Sequence, residues 1–178
     1  MGAQRRKILI TGLPGTGKTT LVIKLAQELK ELQPVGFFTE EIRESGVRLG
    51  FELQSLDGRK GLLSHVRLKS PYRVGKYGVD IPGFERFLSL IPFDKPESKL
   101  IIIDEIGKME CLSLKFQNLL KTVLDSQKQL IATIALRGSG FIASIKARSD
   151  VELFEITDRN RDSLFIHLAS LFDIPRIS

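Results

Sequence analysis

The first apolar run of the chain, Lys7–Thr11 (KILIT), has the short unbroken form of a buried strand and passes straight into a glycine-rich turn. From Lys18 onward Leu21, Val22, Leu25, Leu29 and Leu32 recur at helical spacing, and Pro34 stops them. Residues 35–66 change character. GFFTEEIR, VRLGFELQSL and GLLSHV are strand-type runs separated by Glu44-Ser45-Gly46 and by Asp57-Gly58, which predicts an antiparallel group of two or three strands. Residues 67–80 read as a basic loop containing Gly and Tyr. Phe84, Phe87, Leu88 and Ile91 then predict a short amphipathic helix closed by Pro92.

From residue 99 strands and helices alternate. Lys99–Asp104 reads as a fully buried strand, and Leu112, Phe116, Leu119, Leu120 and Val123 line one helix face. Leu130–Leu136 is a strand, Phe141–Lys146 a short helix, and Val151–Ile156 a strand; Leu164, Leu168, Leu171 and Phe172 mark the final helix. This alternation predicts an α/β fold with a mostly parallel sheet covered by helices on both faces. The whole of 1–178 reads as a single domain, with an antiparallel β insertion at about 36–80.

A chain of 178 residues suits one ordinary domain. With 42% hydrophobic and 27% charged residues it is neither disordered nor collagen-like, and no apolar run reaches the roughly 18–20 residues of a membrane span. Lys and Arg number 27 against 21 Asp and Glu, a net charge of +6 that favours anionic partners. No basic run of five or more and no interleaved aromatic stripe accompanies that charge, which argues against nucleic acid. Cys111 is the single cysteine, so neither an internal disulfide nor a Cys-built metal site is expected. The opening MGAQRRKILI lacks a long apolar region, and a reducing cytoplasm is the expected compartment. Nothing in the sequence names a protein partner.

Gly12-Leu13-Pro14-Gly15-Thr16-Gly17-Lys18-Thr19 satisfies G-x-x-x-x-G-K-S/T at every fixed position, between a strand and a helix. Glycines let the backbone curl so that successive N–H groups, with those of Thr19 and Thr20, converge on phosphate at a helix N-terminus. Lys18 can neutralise β/γ-phosphate charge, and the Thr19 hydroxyl can sit on Mg²⁺. The partner element lies about ninety residues on, where the apolar run Leu100–Ile103 ends in Asp104-Glu105. Asp104 is suited to hold Mg²⁺ through water, and Glu105 to polarise an attacking water. Room remains between the two for an additional strand, the RecA/AAA-like arrangement. Asp104-Glu105-Ile106-Gly107 also reads D-x-x-G, but no N-K-x-D guanine reader accompanies it.

Beyond these motifs the chain resembles the small enzymes known as the cancer-related or thermophile nucleoside-triphosphatase family. The matching strings are GLPGTGKTTL (12–21), GFFTEEIRESGVRLGF (36–51), VGKYGVD (74–80), DEIGKME (104–110) and ITDRNRD (156–162). The resemblance implies Mg²⁺-dependent hydrolysis of several nucleoside triphosphates to diphosphate and phosphate.

Other residues carry two readings each. Thr39, Glu40, Glu41 and Arg43 either approach the metal and water or form a charged strand end. Glu110 and Glu41 compete with Glu105 as the base. Arg137, before Gly138-Ser139-Gly140, either reaches the γ-phosphate or is solvated. Asn160 and Arg161 either contact the base or cap the last helix. Phe37, Phe38 and Phe51 read as core, His65 and His167 as structural, and Tyr72 and Tyr77 as candidates for a ligand. Beside hydrolysis stands a second function. A P-loop kinase would use residues 35–98 as its acceptor segment and residues 137–148, with Arg137, Lys146 and Arg148, as a lid.

Overall fold

A computed structural model describes residues 5–172; the opening MGAQ, on which part of the N-terminal reading rests, lies outside them. The strands are β1 (Lys7–Thr11), β2 (Val35–Glu44), β3 (Val47–Ser55), β4 (Lys60–His65), β5 (Arg73–Val74), β6 (Tyr77–Val79), β7 (Leu100–Ile106), β8 (Gln129–Ile134) and β9 (Glu152–Glu155). The helices are α1 (Lys18–Glu28), α2 (Ile81–Ser89), α3 (Leu114–Asp125), α4 (Phe141–Lys146) and α5 (Arg161–Ser170). All strands join one nine-stranded sheet in the order β5-β6-β4-β3-β2-β7-β8-β1-β9. The segment β2-β7-β8-β1-β9 is parallel, and β3, β4, β6 and β5 continue it antiparallel.

Successive strand side chains point to opposite faces, so one apolar run serves two cores. Ile8, Ile10, Leu100, Ile102 and Ile131 pack under α1 and α5. Leu9, Ile101, Ile103, Leu130 and Ala132 face the other way, toward α2, α3 and α4. On that second face Phe37 meets Phe84, Phe87 and Phe116 edge-on, at centroid distances of 6.0, 5.8 and 6.5 Å. These contacts anchor the root of the antiparallel extension to the core. Lys7 is buried and donates to the carbonyls of Val123 (2.8 Å), Ser126 (3.1 Å) and Lys128, fastening β1 to the α3–β8 turn. Among the described residues no helix is long and apolar enough to cross a membrane.

Four expectations change. The basic loop at 67–80 contains the hairpin β5–β6, and Tyr77 inside it is buried, its hydroxyl accepting from Arg48 Nε at 3.1 Å. A ligand role for Tyr77 therefore gives way to a structural one. The helix expected from Leu112 starts at Leu114, capped by the Ser113 hydroxyl, which accepts from Phe116 N; Leu112 itself is exposed. The first helix ends at Glu28, and Leu32 reaches the core from a separate 3-10 turn. Phe37 is core and Phe51, half-buried, packs against the same core, whereas Phe38 is only half-buried.

Candidate functional site

The turn after β1 is shaped by glycine at two points where nothing else fits. A Cβ on Gly12 would lie 2.6 Å from the Ile156 carbonyl, so the loop passes against the end of β9. Gly17 (φ 92°) takes the left-handed conformation directly before α1. That helix start differs from two of its neighbours. Asp80 caps α2 and Ser113 caps α3, but α1 has no side-chain cap and no acidic residue in its first turn. Its free N–H groups and positive dipole end are left for an anion. Lys18 Nζ folds back across the loop onto the carbonyls of Gly12 (2.9 Å) and Leu13 (3.0 Å), held over the same concavity. Leu13 and Pro14 form its exposed outer rim, and Thr16 is tucked in by donating to Leu13 O at 2.8 Å.

β7 lies one strand away from β1, with β8 between them. The expected intervening strand is present. Asp104, near the C-terminal end of β7, is buried, and its Oδ2 accepts from Thr19 Oγ1 at 2.7 Å. Its Oδ1 accepts from Thr133 Oγ1 at 2.8 Å, and Thr39 approaches Oδ2 through its amide (3.3 Å) and hydroxyl (3.4 Å). Burial pushes the Asp104 carboxyl above its ordinary range, and the hydrogen bonds from Thr19, Thr133 and Thr39 oppose that shift. Thr133 was not singled out in the sequence; its signal is a lone hydroxyl in the apolar run IATI.

The strand does not stop at Asp104. The register against β8 slips between Ile103 and Ile106, inserting one extra residue, and Glu105 takes φ 101°, rare for a residue with a Cβ. This bulge turns Glu105 out of the alternation that would bury it in one of the two cores. Glu110 lies close by: a Cβ placed on Gly107 would be 2.9 Å from Glu110 Oε2 and 3.0 Å from Glu105 Oε1. Two carboxyl groups thus share the space above a glycine. Burial, then the Asp104 charge, raise Glu105, while Lys18 draws it down. Burial and the Glu105 charge hold the fully buried Glu110 well above the carboxylate range. Glu105 and Glu110 line one cavity with Thr39 and Arg137. Arg137 is exposed and makes no hydrogen bond or ion pair among the described residues.

Glu41 does not join this group. Its carboxylate is tied to Arg43 (2.5 Å) and Arg48 (2.8 Å) on the surface of the extension, and neither Glu41 nor Arg43 bonds to Asp104 or lines the cavity with Glu105. On the other flank of the loop, α1 and α5 enclose a cleft of about 930 Å³ lined by Gly17, Thr20, Lys24, Arg161 and Phe165 among others. Arg161 leans over Gly17 and pairs with Asp158 at 3.3 Å. Asn160 stands at the start of α5, but its amide is committed to the preceding turn, accepting from Thr157 N (2.7 Å) and donating to Glu155 O (2.9 Å).

An uncapped, glycine-shaped helix start joined through Thr19 to an acidic strand end defines a P-loop nucleotide-binding α/β protein. A profile of the family described as NTPase matches residues 7–169, and the chain belongs to that family. It is 46% identical over 171 residues to nucleoside-triphosphatase THEP1 of Thermotoga maritima, covering 96% of this chain and 97% of the relative. To the human cancer-related nucleoside-triphosphatase it is 37% identical over 175 residues, covering 89% of this chain and 92% of the relative. The crystal structure of THEP1 from Aquifex aeolicus superposes with a TM-score of 0.82 at 36% identity, covering 94% of this chain and 99% of that one. The solution structure of the human protein gives 0.76 at 34%, with 93% and 96% covered.

Proposed function

We propose that the chain is a Mg²⁺-dependent nucleoside-triphosphatase that cleaves the γ-phosphate from ATP, GTP and other nucleoside triphosphates, giving diphosphate and phosphate. The observation that carries this reading is the 2.7 Å contact between Thr19 and Asp104, which brings the loop's hydroxyl and the strand-end carboxylate to one point. Both are hard oxygen donors of the kind Mg²⁺ takes. Among the described residues no cluster of three or more His, Cys, Asp or Glu offers a complete cage. Mg²⁺ would therefore be held by Thr19, Asp104 and the nucleotide's own phosphates. Bound there, it would neutralise charge on the β- and γ-phosphates.

The chain's own groups supply the rest. The α1 N–H groups bind the phosphates, and Lys18 exchanges two loop carbonyls for phosphate oxygens. Glu105, raised by burial yet still drawn toward ionisation by Lys18, accepts a proton from the attacking water. Arg137 approaches the γ-phosphate from its exposed loop, where its charge counts most in the transition state. Weak base selectivity follows from the α1–α5 cleft, whose polar groups Thr20, Arg159, Asp162 and Ser163 are exposed. Such groups stay solvated when a base does not match them, so a wrong base costs little.

Phosphate release from ATP, GTP, CTP and UTP, with Mg²⁺ and with a chelator, tests the reading. Release should require Mg²⁺, vary little among bases, and collapse in Lys18→Ala. Wild-type turnover in Lys18→Ala, or a preference beyond ~10³-fold for one base, overturns it.

A further inference from the structure

The cavity beside Glu105 holds about 240 Å³, several times the roughly 30 Å³ that one water occupies. Hydrolysis needs one attacking water there. Much of the wall is moreover apolar: Phe51, Leu63 and Val74 come from the antiparallel extension, and Met109 from the turn after β7. These side chains give a carbon skeleton a surface to pack against. The wall's polar groups are Thr39, Glu105, Lys108, Glu110 and Arg137, and Thr39 also reaches Asp104. The chamber is thus built jointly by the extension and the catalytic strand end.

We propose that this chamber is a second-substrate site for a small, largely apolar molecule bearing an alcohol hydroxyl, to which the enzyme transfers the γ-phosphate. The volume is below the roughly 300–1,000 Å³ usual for drug-sized ligands, which limits the acceptor to about one ring or a short chain. Apolar side chains line the wall beside two carboxyl groups and the cations Lys108 and Arg137, so the acceptor's body is carbon and its reacting group a hydroxyl. That hydroxyl donates its proton to Glu105 while the carbon skeleton lies against Phe51, Leu63 and Val74. In the transfer step the alcohol oxygen forms a bond to the γ-phosphorus as the bond to the β–γ bridging oxygen breaks. The electron pair stays on the diphosphate, the hydroxyl proton passes to Glu105, and the products are a nucleoside diphosphate and a phosphate monoester.

The proposal rests on the triphosphatase reading, because the same P-loop and the same Glu105 are used. The test incubates the enzyme with ATP and Mg²⁺ plus 1-pentanol, cyclohexanol or benzyl alcohol, with glycerol as the polar comparison, and follows phosphate and phosphate ester by phosphorus NMR. Wild type should form an ester with at least one apolar alcohol and not with glycerol. Val74→Trp intrudes on the chamber from a half-buried position on β5, an element that carries neither the P-loop nor Asp104 nor Glu105. It should cut ester yield by at least about tenfold while phosphate release in water stays within about twofold. Val74→Ala, which enlarges the chamber, should keep ester formation. Normal phosphate release with no ester from any alcohol overturns the proposal and leaves the triphosphatase reading intact. Ester formed equally with glycerol, or unchanged in Val74→Trp, also overturns it, since the alcohol would then be replacing water without using the chamber. Neither phosphate nor ester overturns both readings.

Discussion

Glu105 is asked to do two things that work against stability, and replacing it separates them. Among the described residues it is one of three non-glycine positions with positive φ; the others, Gln33 and Ser45, sit in turns between elements, whereas Glu105 is inside a core strand. A residue with a Cβ held at such an angle costs about 1–3 kcal/mol. Its carboxylate is also half-buried, near Asp104 and Glu110, and burial followed by the Asp104 charge disfavours its ionised form. Glu105→Gly removes both penalties and adds back about 0.5–1 kcal/mol of glycine's backbone entropy. A net gain of about 1–2 kcal/mol follows, a rise of roughly 2–8 °C in Tm for a chain of this size. Glu105→Gln keeps the strained angle and loses only the charge, so its Tm should rise less. Both should lose about 10²–10⁴ in single-turnover hydrolysis while Mg-nucleotide affinity survives in Glu105→Gln. Calorimetry without nucleotide and a rapid-quench phosphate assay supply the numbers. A Tm for Glu105→Gly below wild type would show that the bulge is not strained. Normal hydrolysis by Glu105→Gln would move the base to Glu110.

Asp104→Asn should raise the Mg²⁺ concentration needed for half-maximal activity and weaken nucleotide binding together, measured by titration of each; a change in turnover alone would contradict a metal role. Arg137→Ala should lower turnover by up to about 10³ with little change in nucleotide affinity, because its charge matters as charge develops; unchanged turnover would return it to the solvated surface. Glu110 binds a proton more tightly folded than unfolded, so the stability it contributes is present below its ordinary pKa of 4.5 and is lost as pH rises through the higher folded value. Urea unfolding of Glu110→Gln should therefore show a flatter loss of stability from weakly acidic to neutral pH than wild type, and parallel curves would refute the assignment.

Much of this arrangement was legible because it depends on periodicity and on fixed spacing. The strand–loop–helix at residues 7–28, the buried strand ending in Asp104, and the antiparallel run after residue 35 all follow from repeats that a single sequence displays. The strand between β1 and β7 is β8, which the apolar run at 130–136 displays. What stayed hidden has no period. β5 and β6 are two and three residues long, too short for alternation to show among basic and glycine residues. The bulge at Glu105 is one extra residue against β8, and no local composition announces it. Thr133 and Thr39 look like ordinary strand residues until Asp104 lies between them. Glu41 and Glu110 look alike in the sequence, yet Arg43 on the same strand and Arg48 across from it hold the first while burial isolates the second.

The extension reaches the Asp104 carboxylate through β2. β2 pairs in parallel with β7 only over Val35–Phe37, and then runs on antiparallel to β3 as far as Glu44. Thr39 lies just past the point where it leaves β7, and there its amide and hydroxyl reach Asp104. The residue that begins the extension is therefore also a ligand of the acidic group proposed to hold Mg²⁺. Phe37, two positions earlier, is clamped among Phe84, Phe87 and Phe116, so β2 is fixed on the core side of Thr39. Thr39 pairs with Leu53 of β3, the strand that also carries Phe51 into the chamber beside Glu105. This physical connection gives the extension a role at the site that a separate lobe on a flexible linker would lack.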